Sequence, residues 1–294
     1  MSIRLLTVRN RDGSEMTQDN RHRGLVAIGD ELKTLGYGIK NARNLKPHHV
    51  ERLVLHWKKT KISDDTIRNR LGWLRWVAQR VGKEGMLPSD NEAYGLEERN
   101  PFRGSKAAQL DAAKLARVRD DTIRCALLLQ EAFGLRREEA LKFRPSIADR
   151  GDHIALKAAW CKGGRARIVP ITDPRQRDVL DQVASVAGEG SLIPIGKTYI
   201  RHLQTYKSQV RAAGLGKDHA LRHGYAQRRY ETLAGWTCPA AGGRTAEAMT
   251  AREREIDHEA RLQVSQELGH NRIDVTDRYL GRRWASGHFT RAVS

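Results

Sequence analysis

Residues 153–171, HIALKAAWCKGGRARIVPI, carry a β pattern in a chain whose other patterns are mostly helical. The runs HIALKAAW and ARIVPI have the length and apolar content of strands, and CKGGR between them offers two glycines for a turn. We therefore predict a two-stranded hairpin with Lys162 at its tip. One hairpin among many helices indicates a mainly α fold with a small β-sheet, in which the second part of the chain forms a mixed α+β domain.

Helical spacing of apolar residues occurs on both sides of the hairpin. In the first hundred residues, one helix is predicted to begin at Asp19 or Asn20 and to end at Gly36 or Gly38, and another to follow Ser63. The aspartates directly after Ser63 suit the positive end of that helix. Further helices are predicted at 50–57, 121–134, 136–143, 174–186, 198–213, 219–234, 260–269 and 274–280.

A break in the helical patterns indicates two domains. Residues 82–108 hold several glycines and two prolines and have no hydrophobic period, which is typical of a linker. We place a helical N-terminal domain at 1–90, a linker at 91–108 and the mixed α+β domain at 109–294. A chain of 294 residues is long enough for two domains that each bury a core.

The chain is strongly basic, with 53 Lys and Arg against 35 Asp and Glu and a formal charge of +18. The excess is spread along the chain, with +6 in residues 1–100 and +12 in residues 101–294. Such a charge attracts a polyanion, and nucleic acid is the leading partner. A hydrophobic content of 39% with periodic helices favours packed domains over a disordered basic coat.

Three cysteines, Cys125, Cys161 and Cys238, are odd in number and scattered. They form neither a disulfide framework nor a CxxC metal motif, so a reducing cytoplasm fits. No stretch has the ~18 apolar residues of a membrane span. The first residues, MSIRLLTVRNRDG, lack the apolar core of a secretory signal. We therefore expect a cytoplasmic protein with no membrane partner.

Attack on a phosphodiester needs fixed positive charge, because the phosphate is already an anion and gains charge in the transition state. Arginine suits this role, since its planar fork matches two phosphate oxygens and keeps its proton. A side-chain nucleophile would form a covalent intermediate that keeps the bond energy for religation. Four segments supply such groups: GLRREEAL with Arg136 and Glu139, CKGGR with Lys162, HALRHGY with His219 and Arg222, and LGHNRIDVTDRYLG with His270 and Tyr279.

These four segments also carry a family resemblance. A G-L-R-x-x-E-x-L box, a hairpin lysine, an H-x-x-R-H box and an L-G-H…Y box follow one another in this order over residues 134–281. In these boxes the chain resembles the tyrosine recombinases, the phage-integrase family of site-specific DNA recombinases. The resemblance implies a helical core DNA-binding domain at 1–90 and a tyrosine-recombinase catalytic domain at 109–294.

In that family the tyrosine of the last box is the nucleophile. The resemblance therefore implies that Tyr279 attacks the scissile phosphate, forms a 3′-phosphotyrosyl link and releases a 5′-hydroxyl. Arg136 and Arg222 would hold the non-bridging oxygens. The 5′-hydroxyl of a partner strand would then attack the phosphotyrosine, so that strands exchange through a Holliday junction without ATP, cofactor or metal.

Proton transfer is implied for the remaining members of the set. The resemblance makes Lys162 the general acid toward the leaving 5′ oxygen. It makes His219 and His270 helpers in proton transfer and phosphate binding. Glu139 would orient Arg136 or His219.

Neighbouring residues compete for two of these roles. Arg137 adjoins Arg136 in the first box, and the spacing to Glu139 favours Arg136. Lys157 and Arg165 lie in the same hairpin segment as the predicted general acid, and the hairpin register favours the lysine in CKGGR.

Other interpretations of the same residues stay open. His219 and His223 are four apart on a predicted helix, which is also zinc-ligand spacing, although no third ligand stands at a sensible position. Tyr279 could be an amphipathic residue that covers a core. For the whole chain, the alternatives are a type IB topoisomerase-like enzyme that relaxes DNA and a non-enzymatic basic protein that binds DNA or RNA.

The family resemblance also implies partners. They are double-stranded DNA with specific recombination sites, further copies of the chain in a homo-tetramer on that DNA, and accessory directionality or bending factors. The expected location is the cytoplasm, in association with the nucleoid.

One segment differs from the family pattern, and a short tail follows the last box. Residues 235–260 add length between the H-x-x-R-H and L-G-H boxes, and we expect this extra segment to contact DNA or a neighbouring subunit. Residues 281–294, GRRWASGHFTRAVS, form a short tail that includes Trp284 and Phe289. This tail is predicted to dock on a neighbouring subunit.

Overall fold

The structure of the protein is a computed structural model that describes residues 12–97, 104–216, 219–270 and 272–284. The chain divides into two compact units, Met1–Asn100 and Pro101–Ser294. Residues 98–103, which fall inside the predicted linker at 91–108, lie outside the described residues. The linker therefore stays a prediction.

The first unit is helical. Its helices are α1 (Glu15–Thr34), α2 (Pro47–Lys59) and α3 (Asp64–Arg80). The Ser14 side chain accepts a hydrogen bond from the Thr17 N–H and caps α1, so the predicted start at Asp19 or Asn20 is wrong. The helix therefore begins at Glu15, before both residues considered from the sequence. Ser63 caps α3 as predicted.

The apolar faces of these three helices form the core of the first unit. Leu25 on α1, Trp57 on α2 and Leu71 on α3 are fully buried. Gly24 lets α1 approach α3 closely, because a Cβ at this position would lie 2.0 Å from the Trp73 ring.

The second unit surrounds one central helix. Its helices are α4 (Ala112–Ala116), α5 (Asp121–Phe133), α6 (Arg137–Leu141), α7 (Pro145–Ala148), α8 (Pro174–Ala187), α9 (Tyr199–Ala212), α10 (His219–Ala234), α11 (Ala251–Glu267) and α12 (Ile273–Leu280). The central helix, α5, packs against α6, α8 and α10. It buries apolar side chains such as Ile123, Leu129 and Phe133.

The predicted hairpin is present and gives the second unit its sheet. Strands β1 (His153–Leu156) and β2 (Arg167–Pro170) pair antiparallel, with Leu156 opposite Arg167. The predicted first strand was too long, because Ala158–Trp160 forms a 3₁₀ turn that buries the Trp160 ring. The structure therefore confirms a mainly α fold with a small β-sheet.

The extra segment, residues 235–260, lies against the start of the tail of the same chain. The Ala246 N–H donates to the Arg283 carbonyl at 2.8 Å, and Arg254 lies 5.7 Å over the Trp284 ring. Residues 285–294, with Phe289, lie outside the described residues. The docking of the tail on a neighbouring subunit therefore stays a prediction.

The three cysteines are buried and free. In the described ranges, no group of His, Cys, Asp or Glu is arranged to hold a metal ion. None of the described helices has both the length and the apolarity that crossing a bilayer requires.

Candidate active site

Tyr279 lies near the C-terminal end of α12, with a side chain only 5% exposed. Its hydroxyl accepts a hydrogen bond from Arg222 Nε at 3.3 Å and lies 3.3 Å from His219 Nε2. Its backbone carbonyl accepts a hydrogen bond from Gln227 Nε2 at 2.9 Å. All three partners belong to α10, so this helix fixes both the side chain and the main chain of the tyrosine.

Arg222 is the buried cation of the site, with 1% of its surface exposed. Its Nη1 and Nη2 atoms donate to the backbone carbonyls of Gly134 and Leu268, and Nη2 lies 3.4 Å from His270 Nε2. Burial lowers the pKa of Arg222 to about 10, which still leaves it charged at neutral pH. The guanidinium has further N–H groups that the two carbonyls do not use.

Arg136 is placed by the glycine that ends α5. Gly134 has a φ of +60°, and a Cβ there would lie 2.5 Å from the Tyr225 ring, so the tight turn requires glycine. The turn puts Arg136 at the start of α6. There its backbone N–H and its Nη1 each donate to the Glu139 carboxylate at 2.7 Å.

Glu139 is a buried carboxylate that binds a second arginine as well. Both terminal nitrogens of Arg167 donate to it, at 2.8 and 2.6 Å. Burial would raise the pKa of Glu139, but the hydrogen bonds and charge of Arg167, followed by the charge of Arg136, outweigh burial and lower it to about 2. The carboxylate is therefore ionised at neutral pH and orients Arg136.

Arg167 was not among the site residues predicted from the sequence. Its Nε donates to the Glu267 carbonyl at 2.8 Å, so it connects β2 to the end of α11, three residues before His270. A signal for it exists in the strand pattern. Arg167 and Val169 are buried whereas Ile168 between them is exposed, which puts a charged residue at an inward-facing strand position.

Three histidine rings surround the Tyr279 ring. The ring centroids of His219, His223 and His270 lie 5.8, 4.5 and 5.8 Å from that of the tyrosine. Burial lowers the pKa of His223 to about 4 and that of His270 to about 3, and nearby arginines, Arg136 among them, add to the effect at His270. Both imidazoles are therefore neutral at neutral pH.

Lys162 lies apart from the other five predicted site residues. It is exposed in the loop between β1 and β2, and within the described residues no hydrogen bond or ion pair joins it to the rest of the set. The loop begins beside the site, because Cys161 contacts Arg167 Nη1 at 3.4 Å. The structure thus gathers five of the six predicted residues in one site and leaves the lysine on a surface loop. The gathered group is Arg136, His219, Arg222, His270 and Tyr279.

Comparison with known families gives two matches along the chain. A family described as "Phage integrase, N-terminal" matches residues 3–87, and one described as "Integrase" matches residues 99–228. Comparison with curated proteins finds no match.

Solved structures share the fold over nearly the whole chain at low sequence identity. The Tn1549 transposon integrase, in complex with circular intermediate DNA, has a TM-score of 0.58 and 16% identity and covers 96% of each chain. A lambda integrase dimer bound to a COC′ core site gives 0.59 and 14%, over 98% of this chain and 95% of that one. The XerH site-specific recombinase bound to its difH substrate gives 0.55 and 13%, over 94% of this chain and 79% of that one.

The two family matches together cover more than half of the chain, one in each compact unit, and the solved structures have the same fold. The family resemblance stated from the sequence is therefore confirmed. The chain belongs to the phage-integrase family, the tyrosine recombinases.

Proposed function

We propose that the chain is a site-specific DNA recombinase that cleaves DNA with Tyr279. One observation carries the proposal: the phenol oxygen lies 3.3 Å from the Nε of a buried guanidinium and 3.3 Å from an imidazole nitrogen. A hydroxyl between a fixed cation and a proton acceptor has the partners that a nucleophile needs. A tyrosine that only covers a core needs a single hydrogen-bond partner.

In the cleavage step, the phenol oxygen of Tyr279 attacks the phosphorus, and the bond between phosphorus and the 5′ oxygen breaks. His219 Nε2 accepts the phenolic proton, and Lys162 gives a proton to the departing 5′ oxygen. Arg136 and Arg222 hold the non-bridging oxygens, where charge increases in the transition state. The products are a 3′-phosphotyrosyl link and a 5′-hydroxyl.

Religation reverses these steps with a 5′-hydroxyl from the partner duplex. That hydroxyl attacks the phosphotyrosine, a new phosphodiester forms, and the tyrosine regains its proton. One such exchange produces a Holliday junction and a second resolves it. Because the covalent link keeps the energy of the broken bond, we propose that the reaction needs neither ATP nor metal.

His270 is assigned to the phosphate. Burial and the nearby arginines lower its pKa to about 3, so in the free protein it is a neutral imidazole that can donate one N–H. Its Nε2 lies 3.4 Å from Arg222 Nη2, so the imidazole adjoins the buried guanidinium that we assign to the non-bridging oxygens.

The partner we propose is double-stranded DNA that carries specific recombination sites, bound by a homo-tetramer with accessory directionality or bending factors. The charge of +18 supports a polyanionic partner, and the similar Tn1549, lambda and XerH proteins were each solved with DNA. We assign core DNA binding to residues 1–90, catalysis to residues 109–294 and action on the nucleoid in the cytoplasm.

The test is covalent capture. Full-length protein is incubated in EDTA with nicked, end-labelled DNA that carries its own recombination site, and adducts are resolved on a denaturing gel. Wild type should form an adduct that survives detergent, whereas Tyr279→Phe should bind the DNA with unchanged affinity and form none. An adduct of unchanged yield from Tyr279→Phe would refute the assignment.

A matched control is Tyr37→Phe, which removes a tyrosine hydroxyl from the first unit and should leave the adduct yield unchanged. Relaxation of a supercoiled plasmid without a recombination site tests the topoisomerase alternative. Relaxation at the rate of cleavage on the nicked site would favour that alternative over recombination.

A further inference from the structure

A buried charge cluster lies behind the nucleophile helix. Arg261 of α11 is 0% exposed, and its Nε donates to Asp257 Oδ1 at 2.8 Å. Its Nη1 donates both to Asp277 Oδ1 at 2.8 Å and to the Gly281 carbonyl at 3.0 Å. Arg283 completes the cluster, since its Nε lies 2.9 Å from Asp257 Oδ2.

One nitrogen atom of this cluster holds α12 on both sides of the tyrosine. Asp277 and Gly281 are four residues apart, so they lie one above the other on one side of the helix. Tyr279 lies midway between them in sequence and projects from the opposite side. Arg261 Nη1 therefore binds the back of the turn whose front carries the phenol.

The cluster is poorly suited to stability alone. Asp257 is also 0% exposed, and removing two charges from water costs free energy that an apolar replacement of similar volume would avoid. Ala260 and Val264 of the same helix are buried and apolar. Within the described residues, Arg261 Nη2 also has no hydrogen-bond partner. An arginine at this position can form directed hydrogen bonds to α12, whereas a leucine could form none.

The extra segment continues the same hold beyond the helix. Its Pro239–Ala241 turn packs against α12, and a Cβ at Gly281 would lie 2.6 Å from Ala240 N. Gly281 has a φ of +85°, so the chain leaves the helix in a conformation that glycine accepts. Arg283 Nη2 then donates to the Arg254 carbonyl at 2.7 Å, and this carbonyl belongs to the extra segment.

We propose that Arg261 is a positioning residue for the nucleophile. Together with the extra segment of residues 235–260, Arg261 holds the tyrosine helix on the side opposite Tyr279. The proposal rests on the proposed attack by Tyr279. All of these contacts lie within one chain, so each protomer holds its own nucleophile. Arg261 and the extra segment thereby keep the phenol beside Arg222 before DNA binds. Burial raises the pKa of Asp277 to about 6, and the charge of Arg261 opposes that increase.

The first measurement needs no DNA and no activity. Hydrogen exchange of the free, full-length protein is followed in peptides from residues 273–284 and, as an internal reference, from α5. In Arg261→Met, exchange in 273–284 should rise by about tenfold or more, while exchange in α5 stays unchanged, because the loss opens only the local turn. Arg252→Met removes an exposed arginine of α11 that pairs with Glu255 and should change neither peptide.

Asp277→Asn guards against loss of folding. It keeps the shape of the side chain and removes only the charge of Asp277, one of the two carboxylate partners of Arg261, so it should also raise exchange in 273–284. If exchange rises throughout the second unit of Arg261→Met, that variant has lost its fold, and Asp277→Asn becomes the test of the proposal. Unchanged exchange in 273–284 in Asp277→Asn would then overturn the proposal.

The second measurement asks whether the hold serves the chemistry. In single-turnover cleavage of the nicked DNA, Arg261→Met should slow adduct formation by about 10- to 100-fold, since small displacements of a reacting group cost that much. Affinity for the same DNA should stay within about twofold, because phosphate contacts set it. An unchanged cleavage rate despite faster exchange overturns the positioning role. If wild type forms no adduct while the exchange result holds, the proposed function is wrong, but the contact between Arg261 and α12 still stands.

Discussion

The two sides of the candidate active site are held in different ways. On the Tyr279 side, Arg222 is 1% exposed and its terminal nitrogens bind the carbonyls of Gly134 and Leu268. On the other side, Lys162 is exposed in the loop between the two strands, before two glycines with φ of +76° and +66°. The first side is in place without DNA, whereas the second, which carries the proposed general acid, is an exposed surface loop.

This difference fits two different chemical tasks. Stabilising a developing charge works best with donors that are already oriented, because no reorganisation is then needed during the reaction. Giving a proton to a leaving oxygen requires reach, and a lysine amine on a long flexible stem supplies it. We infer that the buried side binds the phosphate and that the loop side closes on it.

Arg222→Lys should have the largest effect. Lysine keeps the charge but cannot bind both the Gly134 and Leu268 carbonyls and still face the phenol. Single-turnover adduct formation on the nicked site should fall on the order of 10³-fold, and the melting temperature should fall as well, because a buried carbonyl loses its donor. Arg228→Lys on the same helix, which donates to the Glu131 carbonyl from an exposed position, is the matched control. A cleavage rate within twofold of wild type for Arg222→Lys would exclude a phosphate-binding role.

Local patterns carried most of the fold and most of the site. The turn at Gly134, the cap at Ser63 and the short tyrosine helix each depend on residues a few positions apart, so a single sequence suffices to predict them. The four boxes likewise place Arg222 and Tyr279 correctly on their helices.

Long-range contacts could not be predicted in this way. Arg167 binds the Glu139 carboxylate and the Glu267 carbonyl, which lie 28 and 100 residues away in sequence, so no local period reveals these contacts. The first strand ended early for the same reason, since Trp160 turns inward near Phe143, with ring centroids 6.3 Å apart. The hold of Arg261 on the tyrosine helix is also a tertiary contact that spacing does not indicate.

Lys162→Ala tests the exposed side of the comparison. Stability should not change, because the side chain is exposed, whereas cleavage of normal DNA should slow on the order of 10²-fold through loss of the general acid. DNA with sulfur in place of the 5′ bridging oxygen has a leaving group that needs no proton, so the variant should cleave it at the wild-type rate. Lys157→Ala and Arg165→Ala are the controls in the same loop. If the sulfur substrate restores cleavage in one of these controls and not in Lys162→Ala, the general acid is the residue changed in that control.

The pH dependence of stability tests the buried side and should show the smallest effect. Burial, followed by the charges of His219, Lys106 and Arg222, lowers the pKa of His223 to about 4, against 6.5 for the unperturbed group. Between those two values the unfolded chain binds a proton that the folded chain refuses. The free energy of unfolding is therefore full above pH 6.5 and decreases as the pH falls toward 4.

His223→Gln should reduce this acid sensitivity without abolishing it, because His270, with a pKa of about 3, destabilises the folded state in the same pH range. The loss of stability between pH 7 and pH 5 should shrink on the order of 1–2 kcal/mol in the variant. Urea denaturation is carried out at the two pH values, and unfolding is monitored through the hydrogen exchange of α5 peptides, which reports on the second unit alone. His258→Gln, which changes an exposed histidine of α11, should leave the loss unchanged. Equal losses in His223→Gln and wild type would mean that the imidazole beside Tyr279 takes up protons in the folded state, and that the buried side of the site is open to water.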